Sequence, residues 1–174
     1  MTSSWPTSEV RSSPSLRSWL YSRSMSADLI RGFYTSFQSL DGDAMASCYA
    51  PDATFSDPVF TELRGNDVGD MWRMLCSSAR DFSLTFDSVT DDSAHWIADY
   101  TFSSTGRPVV NDIQAHFVIA DGRIQDHRDS FSLWKWSRQA LGPAGLVLGW
   151  SPPLQGKIRG QAMAGLRKYQ QARG

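Results

Sequence analysis

The fold of this chain is decided by residues 50–75, which read APDATFSDPVFTELRGNDVGDMWRML. Residues 53–57 predict a short strand that Pro58 closes, because proline cannot donate to a ladder of sheet hydrogen bonds. Gly65 and the polar residues after it predict the start of a helix. Its candidate N-terminal caps are Asn66 and Asp67. Its predicted buried stripe is Val68, Met71, Trp72 and Leu75.

Two helices are predicted before this segment. From Ala27 onward, apolar residues recur at the three- and four-residue spacing of an amphipathic helix. The members of this stripe are Leu29, Ile30, Phe33, Tyr34, Phe37 and Leu40. Residues 41–43, DGD, interrupt the pattern, and a second short helix is predicted over residues 43–50.

Four strands are predicted after the segment, because alternating apolar residues are separated by short turn signals. The predicted strands cover residues 82–89, 94–103, 108–119 and 123–136. Consecutive strands joined by short turns form an antiparallel meander. Beyond them, the apolar, glycine- and proline-punctuated residues 140–151 are expected to lie across the body, and a last helix is predicted over residues 154–171.

Helices followed by a run of strands indicate the α+β class. We expect a cone-shaped, curved antiparallel sheet wrapped around the N-terminal helices, with a C-terminal helical extension. Such a cone leaves a cavity between the helices and the concave face of the sheet, which is a place where small molecules bind.

The length and net charge of the chain exclude some classes of binding partner. The chain has 174 residues, 12% of them aromatic, and a formal net charge of −1. This size fits one domain, and the charge lacks the basic footprint that nucleic acids and anionic membranes require. No apolar run reaches the ~20 residues that span a bilayer. We therefore expect a cytoplasmic protein with neither a nucleic-acid nor a membrane partner.

The first residues differ from the rest. Residues 1–24 are rich in serine and arginine and contain one acid, Glu9, a composition typical of organellar transit peptides. A disordered leader, or a true start at Met25, is the alternative interpretation. The predicted organisation is a leader over residues 1–25, the main domain over 26–136, and a C-terminal loop and helix over 137–174 that pack on the domain.

Two stretches carry a resemblance to a known family. Residues 50–75 resemble the acidic strand-loop-helix of the nuclear transport factor 2-like superfamily, and residues 121–131, DGRIQDHRDSF, resemble the stretch that closes the sheet in its hydrolases and cyclases. Over about residues 26–135 the chain is similar to SnoaL-like and ketosteroid isomerase-like proteins. The resemblance implies a cystatin-like roll, a small apolar ligand, and a homodimer through the outer face of the sheet.

The resemblance also implies site residues. Asp57 matches the general base of ketosteroid isomerase, whereas Phe33 and Ala115 stand at the positions of its two oxyanion donors and cannot donate. Asp129 matches one acid of the catalytic group of limonene epoxide hydrolase, but Trp96 replaces the arginine of that group. Steroid isomerisation and epoxide opening by those mechanisms are therefore disfavoured.

Strand alternation gives a second selection of site residues. If Asp57 and Asp129 face inward, one face of each strand lines the cavity, and Asp112, Gln114 and His116 lie on the outer face. We assign Asp57 and Asp129 as catalytic candidates. The substrate-binding candidates are Phe33, Tyr34, Phe55, Trp72, Trp96, Tyr100, Asn111, Ala115, His127 and Phe131.

Two carboxylates inside an aromatic cavity indicate general acid–base chemistry. Burial and mutual repulsion raise the pKa of at least one such acid toward neutrality. Proton abstraction beside a carbonyl suits this inventory, with the side chain of Asn111 or the indole N–H of Trp96 as oxyanion donor and with no metal or cofactor. In the alternative interpretation, Asp57 ends a strand, Asp129 pairs with Arg128, and the cavity belongs to a non-catalytic ligand-binding or dimerisation module.

Overall fold

A computed structural model describes residues 16–174, with side chains from Met25 onward. This part of the chain contains six helices and six strands. The helices are α1 (Leu16–Gln38), α2 (Gly42–Ser47), α3 (Asn66–Ser78), α4 (Leu133–Ala140), α5 (Pro143–Leu148) and α6 (Pro152–Gln171). The strands are β1 (Tyr49–Ser56), β2 (Leu63–Arg64), β3 (Ser83–Asp87), β4 (Ser93–Phe102), β5 (Arg107–Ala120) and β6 (Arg123–Ser130).

The strands form one curved, unclosed sheet in the order β2-β1-β6-β5-β4-β3. The predicted meander is confirmed for β3 to β6, whose neighbours pair antiparallel. One pairing departs from the expected antiparallel sheet, because β1 runs parallel to β6. The chain leaves β1, passes through β2, α3 and the strands β3 to β5, and returns as β6 beside β1 in the same direction. The helices α1 and α3 pack against the sheet and complete the α+β cone.

Local irregularities bend the sheet. The pairing register shifts between Tyr49 and Thr54 on β1, and again between Val118 and Ile119 on β5. Such shifts kink a strand and increase its twist, which is how a sheet curls around helices. The turn between β5 and β6 uses Asp121 and Gly122, both with positive φ, as the tight hairpin turns require.

The N-terminal helix is longer than the periodicity predicts. It begins at Leu16 instead of Ala27 and so includes part of the predicted leader, while residues 1–15 of that leader lie outside the described residues. Its buried face reaches the centre of the molecule, where Ile30, Phe33 and Tyr34 are fully enclosed.

Two predicted boundaries in the deciding segment are wrong. Strand β1 covers Tyr49–Ser56, where the sequence predicts a helix up to residue 50 and a strand over residues 53–57. Helix α3 begins after Gly65, and neither Asn66 nor Asp67 caps it through its side chain. Gly65 has a φ of 56°, a conformation that favours glycine. The carboxylate of Asp67 instead accepts hydrogen bonds from α6.

The last predicted strand is too long. Strand β6 ends at Ser130, and α4 begins at Leu133, where the sequence predicts strand up to Trp136. Ser132 accepts a hydrogen bond from the backbone N–H of Lys135 and caps the helix. The aromatic residues around it have high strand propensity, but this cap and the packing of one helix face prevail.

The C-terminal elements form a second apolar cluster. Its buried members are Val109, Leu133, Trp136, Ala140 and Ile158. Helix α6 also joins α3, since Arg167 forms an ion pair with Asp67 at 3.0 Å and Gln170 donates to Asp67 and Asp70. No helix among the described residues is both long and apolar enough to cross a bilayer.

The apolar stretch over residues 140–151 is partly buried against the body at Ala140, Gly142 and Gly145. It forms the short helix α5, which packs against α4 through Gly145. The other face of this stretch is exposed, because packing on a single helix covers one side only. Its exposed residues are Leu146, Val147, Leu148 and Trp150.

Candidate active site

A cavity of about 650 Å³ lies between the sheet, α3 and α6. Among the described residues its lining is mainly aromatic and aliphatic, and its only charged members are Asp57 and Asp129. The aromatic members are Phe37, Phe55, Phe60, Trp72, Phe82, Trp96, Tyr100, Phe102, Phe131 and Trp136. The size and the apolar lining with a few polar groups are typical of a small-molecule site.

Asp57 follows the end of β1 and is held by a tight loop. Its Oδ1 accepts hydrogen bonds from the backbone N–H groups of Val59 (2.6 Å) and Phe60 (2.5 Å). Its own backbone N–H donates to the carbonyl of Phe60 at 2.8 Å. The loop therefore fixes the carboxylate at the cavity wall.

The environment of Asp57 shifts its proton affinity. Burial raises the pKa of Asp57 from 3.8 to about 7, against the lowering effect of the hydrogen bond from Phe60. The negative charge of Asp129 raises the pKa further. A carboxyl group that titrates near neutrality can both accept and return a proton.

Asp129 lies on β6 with 7% of its surface exposed. Its Oδ1 accepts hydrogen bonds from Nε2 of His127 at 3.0 Å and from the indole N–H of Trp96 at 3.4 Å. His127 lies on the same strand and Trp96 lies on β4, on the other side of β5, so the two donors hold the carboxylate from different directions.

A buried chain of hydrogen bonds stands behind Asp129. The indole N–H of Trp72 donates to the hydroxyl oxygen of Tyr49 at 2.8 Å, and this hydroxyl lies 2.7 Å from Nδ1 of His127. Since Trp72 can only donate, the Tyr49 hydrogen is free to point at Nδ1. In the tautomer with its hydrogen on Nε2, His127 accepts from Tyr49 at Nδ1 and donates to Asp129 at Nε2.

A hydroxyl donor faces the same cavity. The indole N–H of Trp136 donates to the hydroxyl oxygen of Tyr100 at 2.8 Å. The Tyr100 hydrogen has no acceptor among the described residues, so it is available to a ligand. Burial raises the pKa of Tyr100, which keeps the phenol protonated. Asn111, on β5, adds an amide to the lining.

The structure brings most of the predicted site residues together. The alternation predicted for β5 is confirmed, with Asp112, Gln114 and His116 exposed on the outer face. Both candidate carboxylates line the cavity. The predicted binding residues that also line it are Phe55, Trp72, Trp96, Tyr100, Asn111 and Phe131.

Four predicted binding residues do not line the cavity. Phe33, Tyr34, Ala115 and His127 are fully buried in the core beneath it. They face inward as predicted, but neighbouring rings cover them: Phe33 packs edge-on against Trp72, and Phe117 stacks on His127 at 4.2 Å between ring centroids. Alternation predicts the direction of a side chain and not its depth.

The sequence does not mark Tyr49 or Trp136 as site residues, because its patterns predict a helix around residue 49 and a strand around residue 136. They predict that residues 137–174 pack on the domain, but not which residues of α6 reach the cavity. The residues that α6 contributes to the wall are Ile158, Gln161, Ala162 and Gly165. No local pattern marks such long-range contacts. Among the described residues, no group of three or more His, Cys, Asp or Glu could hold a metal ion.

Comparison with known families identifies one match. The family of SnoaL-like domains matches residues 30–127, more than half of the chain. No curated protein sequence matches the chain significantly.

Solved structures share the fold. A protein from Xanthomonas campestris pv. campestris assigned as a polyketide cyclase is 20% identical, with a TM-score of 0.56 over 68% of this chain and 98% of its own. A limonene epoxide hydrolase-like enzyme from M. tuberculosis is 18% identical, with a TM-score of 0.51 over 72% and 95%.

A third structure has a described ligand. A ketosteroid isomerase-like protein from Catenulispora acidiphila, in complex with trimethylamine, is 14% identical, with a TM-score of 0.57 over 71% of this chain and 97% of its own. At these identities the three structures establish the fold alone.

Proposed function

The chain belongs to the family of SnoaL-like domains, and on that premise we propose that it is a cofactor-independent enzyme that moves a proton on a small apolar carbonyl compound. Asp57 is the general base in this proposal. Isomerisation, aldol-type cyclisation and dehydration are the reactions of this kind. The family's fold binds small molecules, and the cavity is the place for the substrate.

One observation carries the proposal: two carboxylates, one on the loop after β1 and one on β6, line the same aromatic cavity. Asp57 uses Oδ1 for the backbone and leaves Oδ2 without a partner among the described residues. A general base is most effective when its pKa lies near the operating pH, and the pKa of Asp57 is about 7.

The reaction would proceed in two proton transfers. Oδ2 of Asp57 takes a proton from the carbon beside the carbonyl, and the C–H electron pair moves into the enolate. The hydroxyl of Tyr100 donates a hydrogen bond to the enolate oxygen, with the amide of Asn111 as a second donor. Asp57 then returns the proton to carbon for isomerisation or to a leaving oxygen for dehydration.

A binding module is the second candidate. Phe33 and Ala115, at the positions that resemble oxyanion donors, cannot donate, and both are buried beneath the cavity. In this version the cavity holds a small ligand without chemistry. We also propose that the chain forms a homodimer through the outer face of its sheet, in line with the common assembly of this fold.

Deuterium exchange tests the enzyme against the binding module. The α-protons of 2-tetralone, a bicyclic ketone that fits the cavity, are followed by proton NMR in D₂O. We expect catalysed exchange by the natural chain and a loss of about 10²–10⁴-fold in Asp57→Asn, with ketone affinity unchanged.

Asp99→Asn is the matched control, because Asp99 is exposed on the outer face of β4. Its exchange rate should equal that of the natural chain. Equal exchange by Asp57→Asn would remove Asp57 from the reaction, and the absence of catalysed exchange in the natural chain would favour the binding module.

A further inference from the structure

The charged side chains that line the cavity among the described residues are all acidic. Asp57 and Asp129 line it, and no lysine, arginine or histidine does so among the described residues. Arg159, next to the lining residue Ile158, donates to the backbone carbonyl of Pro58 at 3.0 Å and is not part of the lining. A ligand with a carboxylate or phosphate would therefore meet like charge and find no cation to pair with.

Both carboxylates present one open acceptor. Every hydrogen bond from the described residues reaches Oδ1, on Asp57 from two backbone groups and on Asp129 from His127 and Trp96. Oδ2 of each has no partner in the described part of the chain. Because Asp129 is only 7% exposed, a donor to its open acceptor has to lie inside the cavity, where a ligand's donor can replace water.

Asp129 is the more enclosed of the two acids, and ring donors fix its orientation. Its two partners, the indole of Trp96 and the imidazole of His127, are planar rings, and Tyr49 contacts the imidazole from its other side. Oδ2 of Asp129 therefore has a fixed position at the cavity wall, with aromatic faces around it.

Aromatic walls add an attraction for cations. Trp96 contacts Asp129 directly, and Phe55, Trp72 and Phe131 line the same cavity. The negative face of an aromatic ring attracts an ammonium group, most strongly where water is excluded. An acid beside aromatic rings favours a ligand that has both a cationic group and an apolar body.

We propose that the natural ligand is an apolar amine, bound in its protonated form with the ammonium group on Oδ2 of Asp129 and its hydrocarbon body against the aromatic walls. This inference rests on the proposed function for the assignment of the cavity as the ligand site, and it divides the work between the acids: Asp129 binds and Asp57 reacts. The substrate class becomes a carbonyl compound that also carries an ammonium group.

Three probes of equal shape test the inference without any variant. They are 3-phenylpropan-1-amine, 3-phenylpropan-1-ol and 3-phenylpropanoate, titrated at neutral pH while tryptophan fluorescence is recorded. Trp72, Trp96 and Trp136 line the cavity and report binding. We expect the amine to bind about tenfold more tightly than the alcohol, and the carboxylate to bind weakest.

A variant assigns the preference to one residue. Asp129→Asn should reduce the amine preference to about threefold or less while alcohol affinity stays within about twofold, and Asp99→Asn should keep the full preference. Alcohol binding as tight as amine binding, carboxylate binding tighter than either, or an undiminished preference in Asp129→Asn would overturn the proposal. If Asp129→Asn does not fold, the three probes on the natural chain decide.

The two proposals fail in different measurements. If the chain is only a binding module, ketone exchange is absent and the amine preference persists. If the amine inference is wrong, the preference is absent whatever the exchange rate.

Discussion

Two residues of the same type have different environments at this site. Asp57 is half-buried on a loop and receives backbone donors, whereas Asp129 is enclosed within the sheet and receives two ring donors. Asp57 can gain and lose a proton near neutral pH, because burial raises its pKa to about 7. Asp129 has a fixed orientation, set by a chain of rings that reaches Tyr49. The environment and not the residue type separates their roles.

Asp57 makes stability depend on pH. The folded protein holds this proton with a pKa of about 7, against 3.8 for the ordinary carboxyl group. The folded state therefore binds more protons than the unfolded state between these values, and stability falls as pH rises through that window. In Asp57→Asn this slope should be absent.

The expected gain from Asp57→Asn is about 1–3 kcal/mol near pH 8, with little change near pH 4. The asparagine oxygen still accepts from Val59 and Phe60, so the loop is retained. Urea denaturation at both pH values measures the effect, with Asp99→Asn as control. A variant that is less stable near pH 8 would contradict the assigned pKa direction.

Two buried tyrosines give a matched pair for stability. Tyr49 connects Trp72 to His127, and its removal in Tyr49→Phe leaves two buried groups without partners. We expect a loss of about 1–3 kcal/mol in the free energy of unfolding. The hydroxyl of Tyr34 is buried and has no hydrogen-bond partner within the described part of the chain. Tyr34→Phe should therefore cost nothing or stabilise by up to about 1 kcal/mol.

Chemical denaturation of both tyrosine variants decides this prediction. Equal losses would mean that the hydroxyl of Tyr34 makes an interaction of the same value as that of Tyr49.

At this scale the sequence predicts much of the site, because a period of two places Asp57 and Asp129 on inner faces. It does not predict the role of Tyr49, since that requires knowing that β1 lies beside β6 and that the hydroxyl of Tyr49 reaches His127.

Helix α6 forms one wall of the cavity. Its residues Ile158 and Leu166 are buried, and its outer face carries glycines at 156 and 160. A Cβ atom at Gly160 would meet nothing within 4 Å. Because glycine in a helix interior is less favourable than alanine, Gly160→Ala should stabilise the protein by about 0.5–1 kcal/mol.

The opposite result is expected at the contact between α4 and α5. A Cβ atom at Gly145 would lie 1.8 Å from the carbonyl oxygen of Ser137. Gly145→Ala must separate the two helices, at a cost of about 1–3 kcal/mol. Thermal unfolding of the two alanine variants should therefore shift in opposite directions, and a shift in the same direction would contradict this packing.

Element boundaries are where sequence and structure differ most. The helices and strands of the main domain are predicted because their periods differ, but the end of β6 is not. Residues 131–136 are rich in aromatic side chains, and their helical state depends on the cap at Ser132 and on contacts with Val109 and Ile158. Contacts distant in the sequence cannot be derived from the local pattern.

At the scale of the whole molecule, the order of elements indicates the fold. The strand, loop and helix around Gly65 and most of the meander lie within residues 30–127, which match the SnoaL-like domains. The matched region ends before α4, so the family pattern does not extend to the C-terminal elements. The sequence therefore predicts that residues 137–174 pack on the domain, but not where their helices begin or which of their residues face the cavity.

The outer face of the sheet has exposed apolar residues through which two copies of the chain can associate. Val110 and Val118 on β5 are 50% and 57% exposed, and Asp112, Gln114 and His116 lie between them on the same face. We expect the chain to sediment as a dimer through this face. A lysine at position 118 would be buried against its own copy across a two-fold axis, so Val118→Lys should yield monomers.

Val147→Lys is the matched control, because Val147 is 63% exposed but lies on α5, outside the sheet. It should remain a dimer in analytical ultracentrifugation. Monomers in Val147→Lys and a dimer in Val118→Lys would place the interface on the apolar surface of α5 instead. A natural chain that sediments as a monomer at every concentration would exclude both surfaces, and the cavity would then function within a single chain.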